Sequence, residues 1–233
     1  AEAEFTYRFA NPTEVTWLEE KANTISEIVD FRSMILVERE TTERVLTQVK
    51  AVDENYPLMG EVNLFADVIL SDALQKRKGL PGAVIEKILV DRLDLKLGDT
   101  FKLGQTQFHL GGIIETIPDN GSDGFGLGPR TIVYTTDLED SGLLAPGTLF
   151  STKYRLDLKE NINLDVISKT AVEKFETTGM RWKDARNAAP GISEFVRRLE
   201  TFLVLVGLSG LVVGGVGIAA SVRSYLLLKT ATI

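Results

Sequence analysis

Near the end of the chain, the run FLVLVGLSGLVVGGVGIAA, Phe202 to Ala220, contains Gly215-x-Gly217-x-x-Ala220. That spacing is a form of the dinucleotide-binding fingerprint, whose glycines let a backbone turn approach a pyrophosphate at a helix N-terminus. The chemistry needs a strand before the turn, a helix and a second strand after it, and an acid about twenty residues on for the ribose hydroxyls. Within this sequence thirteen residues follow Ala220 and none is acidic, so a cofactor loop is not expected. Asp119 to Gly124, DNGSDG, begins like a calcium loop. Gly121 stands at its third position, however, and Arg130 stands at the twelfth, where a bidentate glutamate belongs. His109 is the only histidine and there is no cysteine. A lone histidine builds neither a usual zinc site nor a catalytic triad. No G-x-x-x-x-G-K-[ST] loop for nucleotide phosphates occurs. Asp94, Asp99, Glu115 and Asp137 show no spacing that marks an acid/base pair, and a solvated acidic surface is the expectation for them. The residues therefore predict no enzyme, with no catalytic, cofactor-binding or metal-binding position.

The glycine-bearing run has a second reading. Its nineteen residues carry no charge. At 1.5 Å per residue they reach about 28 Å, close to the roughly 30 Å of a bilayer core. Arg197, Arg198 and Glu200 precede the run and Arg223 follows it, so charged groups can sit at both interfaces. A membrane helix is expected over 202–221. Gly207, Gly210, Gly214 and Gly217 then become its packing face, since small residues let two backbones approach closely in lipid. Pro190 suits the first turn of a helix. Ile192, Phe195, Val196, Leu199 and Phe202 continue a helical stripe with no stop signal before the apolar run. One helix is expected to cover a stalk at 190–201 and the membrane segment, with 222–233 following it; basic residues are equally few on both sides, so charge does not set the orientation.

The elements ahead of this helix must form the working body. Residues 1–200, the body with the start of the helix, hold 24 of the 26 basic residues and all 33 acidic ones, in a chain of net charge −7. Such a balance argues against nucleic acid as a partner. AEAEFTYRFA at the N-terminus has no signal-peptide pattern, and LLLKTATI at the C-terminus stops abruptly, so the sequence is expected to be a piece of a longer protein. Alternation predicts strands over 5–10, 29–38, 43–53, 131–136 and 150–158, and a short last strand in MRWKDA, Met180 to Ala185. Asn11-Pro12-Thr13 opens a helix in which Val15, Leu18, Ala22 and Ile25 share a face. Helical spacing also predicts an amphipathic helix over 82–93 and another over 161–179. The fold class is α+β. Asp119 to Arg130 is a glycine-rich loop around Phe125, an aromatic placed either to contact a partner or to pack onto its own domain.

Four stretches carry a resemblance. Gly82 to Glu115, with Leu97-Gly98-Asp99 and Leu103-Gly104 in fixed order, resembles part of MacB-like periplasmic core domains. SEIVDFRSMILVE, YPLMGEV and the segment from Arg181 onward resemble FtsX-like ABC transporter permeases of the YbbP type. The resemblance implies a two-part MacB-like periplasmic core. Residues 1–70 and 148–189 would form an α+β subdomain, with 71–147 as an inserted, mostly-β subdomain. Residues 1–200 would lie outside the cytoplasm, anchored in the cell (inner) membrane by the second transmembrane helix of the permease. It further implies a homodimer or pseudo-dimer of permeases, a separate ATPase subunit that binds ATP, and a periplasmic esterase or accessory protein as partner. The function implied is a permease subunit coupling ATP-driven motion to export or extraction of a lipophilic substrate or lipoprotein, or to a periplasmic partner. The alternative is a membrane-anchored interaction domain with one span and no transport role.

Overall fold

The computed structural model describes residues 1–118, 128–145, 147–160, 162–184 and 190–230. They fall in two units, Ala1–Ala185 and Arg186–Ile233. The first unit is an α+β body, and the second is occupied by one long helix.

In the body, strand β1 (Glu2–Thr6) stops earlier than the alternation of Phe5, Tyr7 and Phe9 predicts. Tyr7 takes a left-handed φ of 62°, which turns the chain out of the extended form. Arg8 then reaches Glu14 in the next element. Helix α1 (Pro12–Lys21) begins as its sequence suggests. Asn11 Oδ1 accepts from the Glu14 amide at 3.0 Å, and Glu14 Oε2 accepts from the Asn11 amide at 2.8 Å. This reciprocal capping box satisfies two otherwise orphaned donors. The helical spacing on to Ala22 and Ile25 is misleading, because both lie in β2 (Ala22–Val37). There the β-branched run pairs with β9 (Phe150–Leu158) instead.

Strand β2 pairs with β3 (Glu43–Val52) from Ile28↔Val52 to Val37↔Glu43, the hairpin expected around Glu40-Thr41-Thr42. Next come the short β4 (Asn63–Leu64) and helix α2 (Leu70–Leu74). The helix expected over 82–93 is two elements: strand β5 (Gly82–Glu86) and helix α3 (Lys87–Arg92). Ala83, Val84 and Ile85 are all fully buried. An unbroken apolar run of this kind suits a strand covered on both faces, and its short length made it readable as a helix turn. Strands β6 (Thr100–Leu103) and β7 (Thr106–Thr116) meet at the tight Gly104-Gln105 turn, where Gly104 has φ 59°. Strand β8 (Arg130–Tyr134) passes at once into a 3-10 helix, Thr135–Ser141, so the strand expected to 136 is two residues shorter. The body ends with α4 (Leu164–Phe175), a 3-10 turn at Glu176–Thr178 and β10 (Arg181–Lys183).

Among the described residues ten strands join one sheet, in the order β10-β1-β9-β2-β3-β8-β5-β7-β4. Strand β6 pairs with both β2 and β7. The path β2-β3-β8-β5-β7-β6 therefore returns to β2 and closes a ring of six strands. Closure removes free edges from those strands. The long β2–β3 hairpin is the shared element: one part pairs with β9 and the rest with β6 and β8.

Three apolar clusters follow from this topology. One contains Phe31, Ile35, Val49, Ile85, Phe101 and Phe108, with the last two rings stacked 6.1 Å apart. A second packs α2 against Ile28, Val52, Val84 and Ile132. The third joins β1 and β9 to α1 and α4, with Trp17 edge-on to Phe175 at 5.3 Å and to Trp182 at 5.8 Å. Each fully buried large side chain contributes roughly 1.5–3 kcal/mol. The second cluster explains the Gly111-Gly112 pair in β7. A Cβ at Gly111 would collide with the Ala73 carbonyl of α2, as would one at Gly82. The glycines let the helix backbone lie directly on the sheet.

Candidate functional site

Helix α5 (Pro190–Thr230) is continuous for 41 residues. Its first residues and the apolar run belong to one element, as the uninterrupted spacing predicted. Within Arg198–Arg223, 26 residues, an 18-residue window reaches a mean hydropathy of 2.4, and none of that window is buried. Water does not tolerate an uncovered apolar surface of that size, whereas a bilayer does. By length and composition the segment can cross a membrane.

Gly207, Gly210, Gly214 and Gly217 all lie on this helix. At 100° per residue they fall within about 80° of arc, and the stripe runs about 15 Å along the axis. A Cβ built at any of the four meets nothing within 4 Å. The stripe is thus an open face, and Ser221 extends it by one further turn.

The other residues singled out in the sequence are not brought together. His109 is buried on β7 with Nε2 3.0 Å from the Gln75 carbonyl oxygen, so that nitrogen carries the proton and donates. Asp137 pairs with Lys76 at 3.0 Å. Asp99 closes a local turn by accepting from the Lys96 amide at 2.8 Å. Asp94 occupies a left-handed turn with φ 44°. Among the described residues no group of histidines and carboxylates could hold a metal ion. Phe125 and the Asp119–Gly124 stretch lie outside the described residues.

Three charged clusters were not foreseen from the sequence. Asp30 on β2 lies 2.9 Å from Lys153 on β9 and 3.6 Å from Lys50 on β3, all three buried. Neither Asp30 oxygen makes a hydrogen bond among the described residues, so the contacts are ionic rather than directional. Their sequence signal was a charge at an inward position of an otherwise apolar strand. The second cluster centres on Glu14, which is fully buried. Burial alone would push its carboxyl up. The Arg8 guanidinium at 2.7 Å, the Thr178 hydroxyl at 2.6 Å and the Asn11 amide prevail and hold it below the usual carboxylate range. The third couples Asp53 to Glu27. Asp53 accepts from Ser26 Oγ at 2.8 Å and from the Glu27 amide at 2.7 Å. Burial, with help from Asp53, raises the Glu27 carboxyl even though the Tyr154 hydroxyl donates to it. Burial and Glu27 together raise the Tyr154 phenol. No motif signals this cluster, because its members are separated in sequence and meet only through the β2–β3 and β2–β9 pairings.

No protein-family model matches the chain. It is 26% identical over 180 residues to an ABC transporter permease of Escherichia coli (strain K12), named as uncharacterized and designated YbbP. The match covers 77% of this chain and 21% of that protein, so the chain spans about a fifth of the relative's length. Among solved structures, the periplasmic region of MacB from Actinobacillus actinomycetemcomitans superposes with a TM-score of 0.51 at 10% identity. That match covers 82% of this chain and 92% of the MacB region. The extracellular domain of the ABC-type transporter YknZ from Gram-positive bacteria gives a TM-score of 0.46 at 14% identity, covering 76% and 86% of the two chains. The chain is therefore similar over most of its length to a YbbP-type ABC transporter permease, and it has the α+β fold of a MacB-like periplasmic domain followed by one helix long and apolar enough to cross a membrane.

Proposed function

We propose that the chain is the extracytoplasmic domain and second membrane helix of an ABC permease subunit in the bacterial inner membrane. In this reading 1–70 with 148–189 and the inserted 71–147 are the two extracytoplasmic subdomains. The stalk at 190–201, the membrane segment at 202–221 and the cytoplasmic start at 222–233 are successive parts of α5. ATP is bound and hydrolysed by a separate ATPase subunit. The permease couples that motion to export or extraction of a lipophilic substrate or lipoprotein, or to a periplasmic partner such as an esterase. It acts as a homodimer or pseudo-dimer and holds no cofactor of its own.

One observation carries the reading: α5 runs unbroken from Pro190 through the whole apolar segment. A continuous helix passes a displacement along its axis, whereas a flexible joint within 190–230 would absorb it. The sequence similarity to a permease points the same way. The test is co-expression of the full-length protein with an ABC ATPase subunit from the same organism, followed by affinity purification in detergent. A stoichiometric complex whose ATPase activity depends on the permease is expected. Purification of the protein alone, with ATPase activity indifferent to it, would instead favour a membrane-anchored interaction domain.

A further inference from the structure

The two faces of the β2–β3 hairpin differ, because successive side chains along a strand point to opposite faces. Ile35, Val37 and Val45 belong to the first apolar cluster on the inner face. Arg32, Met34 and Leu36 on β2 share the outer face with Arg44 and Leu46 on β3. There Met34 and Leu46 are direct cross-strand partners, 50% and 49% exposed. Leu149, also exposed, stands just before β9, whose Phe150 pairs with Phe31, so its backbone lies beside Arg32. Arg32 and Arg44 are exposed at opposite ends of the Met34–Leu46 pair, on different strands. Among the described residues neither arginine has a hydrogen-bond or ion-pair partner. Asp30 and Glu38, the neighbouring acids on this face, are already engaged: Asp30 with Lys50 and Lys153, Glu38 with Lys102 at 2.8 Å.

Charge and spacing select what covers this face. Each arginine is two residues from the apolar pair along its own strand, so their backbones stand about 14 Å apart. An uncharged lipophile gains nothing from either guanidinium group. A bilayer rich in anionic lipid repels the body as a whole, since residues 1–200 hold 33 acidic and 24 basic residues. A second copy of this face would set arginines against arginines, because a two-fold contact places a surface on itself. The complementary occupant is a segment of another protein with an apolar residue between two carboxylates. In an extended chain, carboxylates four residues apart span about 13 Å. They meet both arginines while the side chain between them covers Met34 and Leu46.

We propose that the outer face of the β2–β3 hairpin docks an acidic, apolar segment of a partner protein, with Met34 and Leu46 as the apolar contact and Arg32 and Arg44 as the ion-pairing ends. The inference concerns the surface of the body alone: its failure leaves the ATPase coupling intact, and failure of that coupling leaves this surface intact. Its test is fluorescence anisotropy of a labelled peptide with the full-length protein in nanodiscs of phosphatidylcholine. The peptide carries two glutamates four residues apart around a central leucine, and a peptide with lysines in place of the glutamates is the control. Saturable binding of the glutamate peptide is expected, and none of the lysine peptide. Arg32→Glu with Arg44→Glu should weaken binding by about tenfold or more, with the melting temperature unchanged because both side chains are exposed. Met34→Gln with Leu46→Gln should weaken it about threefold, which a purely ionic attraction would not show. Absence of saturable binding, indifference to either double substitution, or binding of both peptides would overturn the proposal. So would displacement of the peptide by phosphatidylglycerol vesicles, which would assign the face to a lipid surface, or self-association lost in the arginine variant, which would assign it to a second copy.

Discussion

At the residue scale, Glu14 decides more than its surface-like sequence context suggests. It caps α1, pairs with Arg8 and accepts from Thr178, which ties β1, α1 and the turn after α4 into one corner. A hydrogen bond to a charged group contributes about 1.5–3 kcal/mol, and loss of one partner leaves the others exposed to desolvation cost. Glu14→Gln should therefore lower stability by about 2 kcal/mol, which in a body of this size lowers the melting temperature by roughly 4–8 °C. The pH dependence has a definite sign. The folded-state carboxyl lies below its usual value of 4.5, so its stabilisation is complete above that value. It is lost as pH falls through the depressed folded value. Thermal melts between neutral pH and the acid range should show that loss in the native protein and less of it in the glutamine variant; identical profiles would contradict the assignment. The helix start itself was legible in Asn11-Pro12-Thr13. The salt bridge was not, because Arg8 reaches Glu14 only after the chain turns at Tyr7 with a positive φ.

At the element scale, α5 was the most legible part, and β5 with α3 the least. A stripe of apolar residues without a glycine or proline stop carries its own length, and the helix begins at Pro190 as that residue suggests. Gly82 to Leu93 misled because the helical spacing of its apolar residues coexists with an apolar run buried on both faces, and only the strands on either side decide between them. The Gly111-Gly112 pair belongs to the same lesson: the sequence marks two glycines, and only the fold reveals the helix backbone they accommodate. The glycine stripe on α5 is open along one face, and we propose that a partner helix packs on it. Gly210→Leu with Gly214→Leu should leave the helix formed, because nothing lies within 4 Å of either position, while abolishing close packing in the membrane. Crosslinking and size analysis of the full-length protein in detergent should then show loss of assembly; unchanged assembly would remove these glycines from the interface.

At the scale of the whole molecule, the α+β class was readable from alternation and helical spacing, but ring closure was not. Closure rests on β6, a four-residue strand that pairs with Ile35 and Leu36 about sixty-five residues earlier in the chain. Local periodicity carries no information about such a partner. The buried Asp30, Lys50 and Lys153 cluster was hidden for the same reason, since its members meet only when β3, β2 and β9 lie side by side. The functional reading needs the body and the far end of α5 to face opposite sides of a membrane. The chain has no cysteine, so single cysteines placed in it report this directly once any cysteine elsewhere in the full-length protein is replaced. Glu19→Cys on the body and Ser224→Cys near the end of α5 should be introduced separately into the full-length protein and probed in spheroplasts with a membrane-impermeant maleimide. The expected result is labelling at position 19 in intact spheroplasts and at position 224 only after the membrane is permeabilised. Labelling of both positions from outside, or of neither until permeabilisation, would contradict a membrane-crossing α5 beneath an extracytoplasmic body.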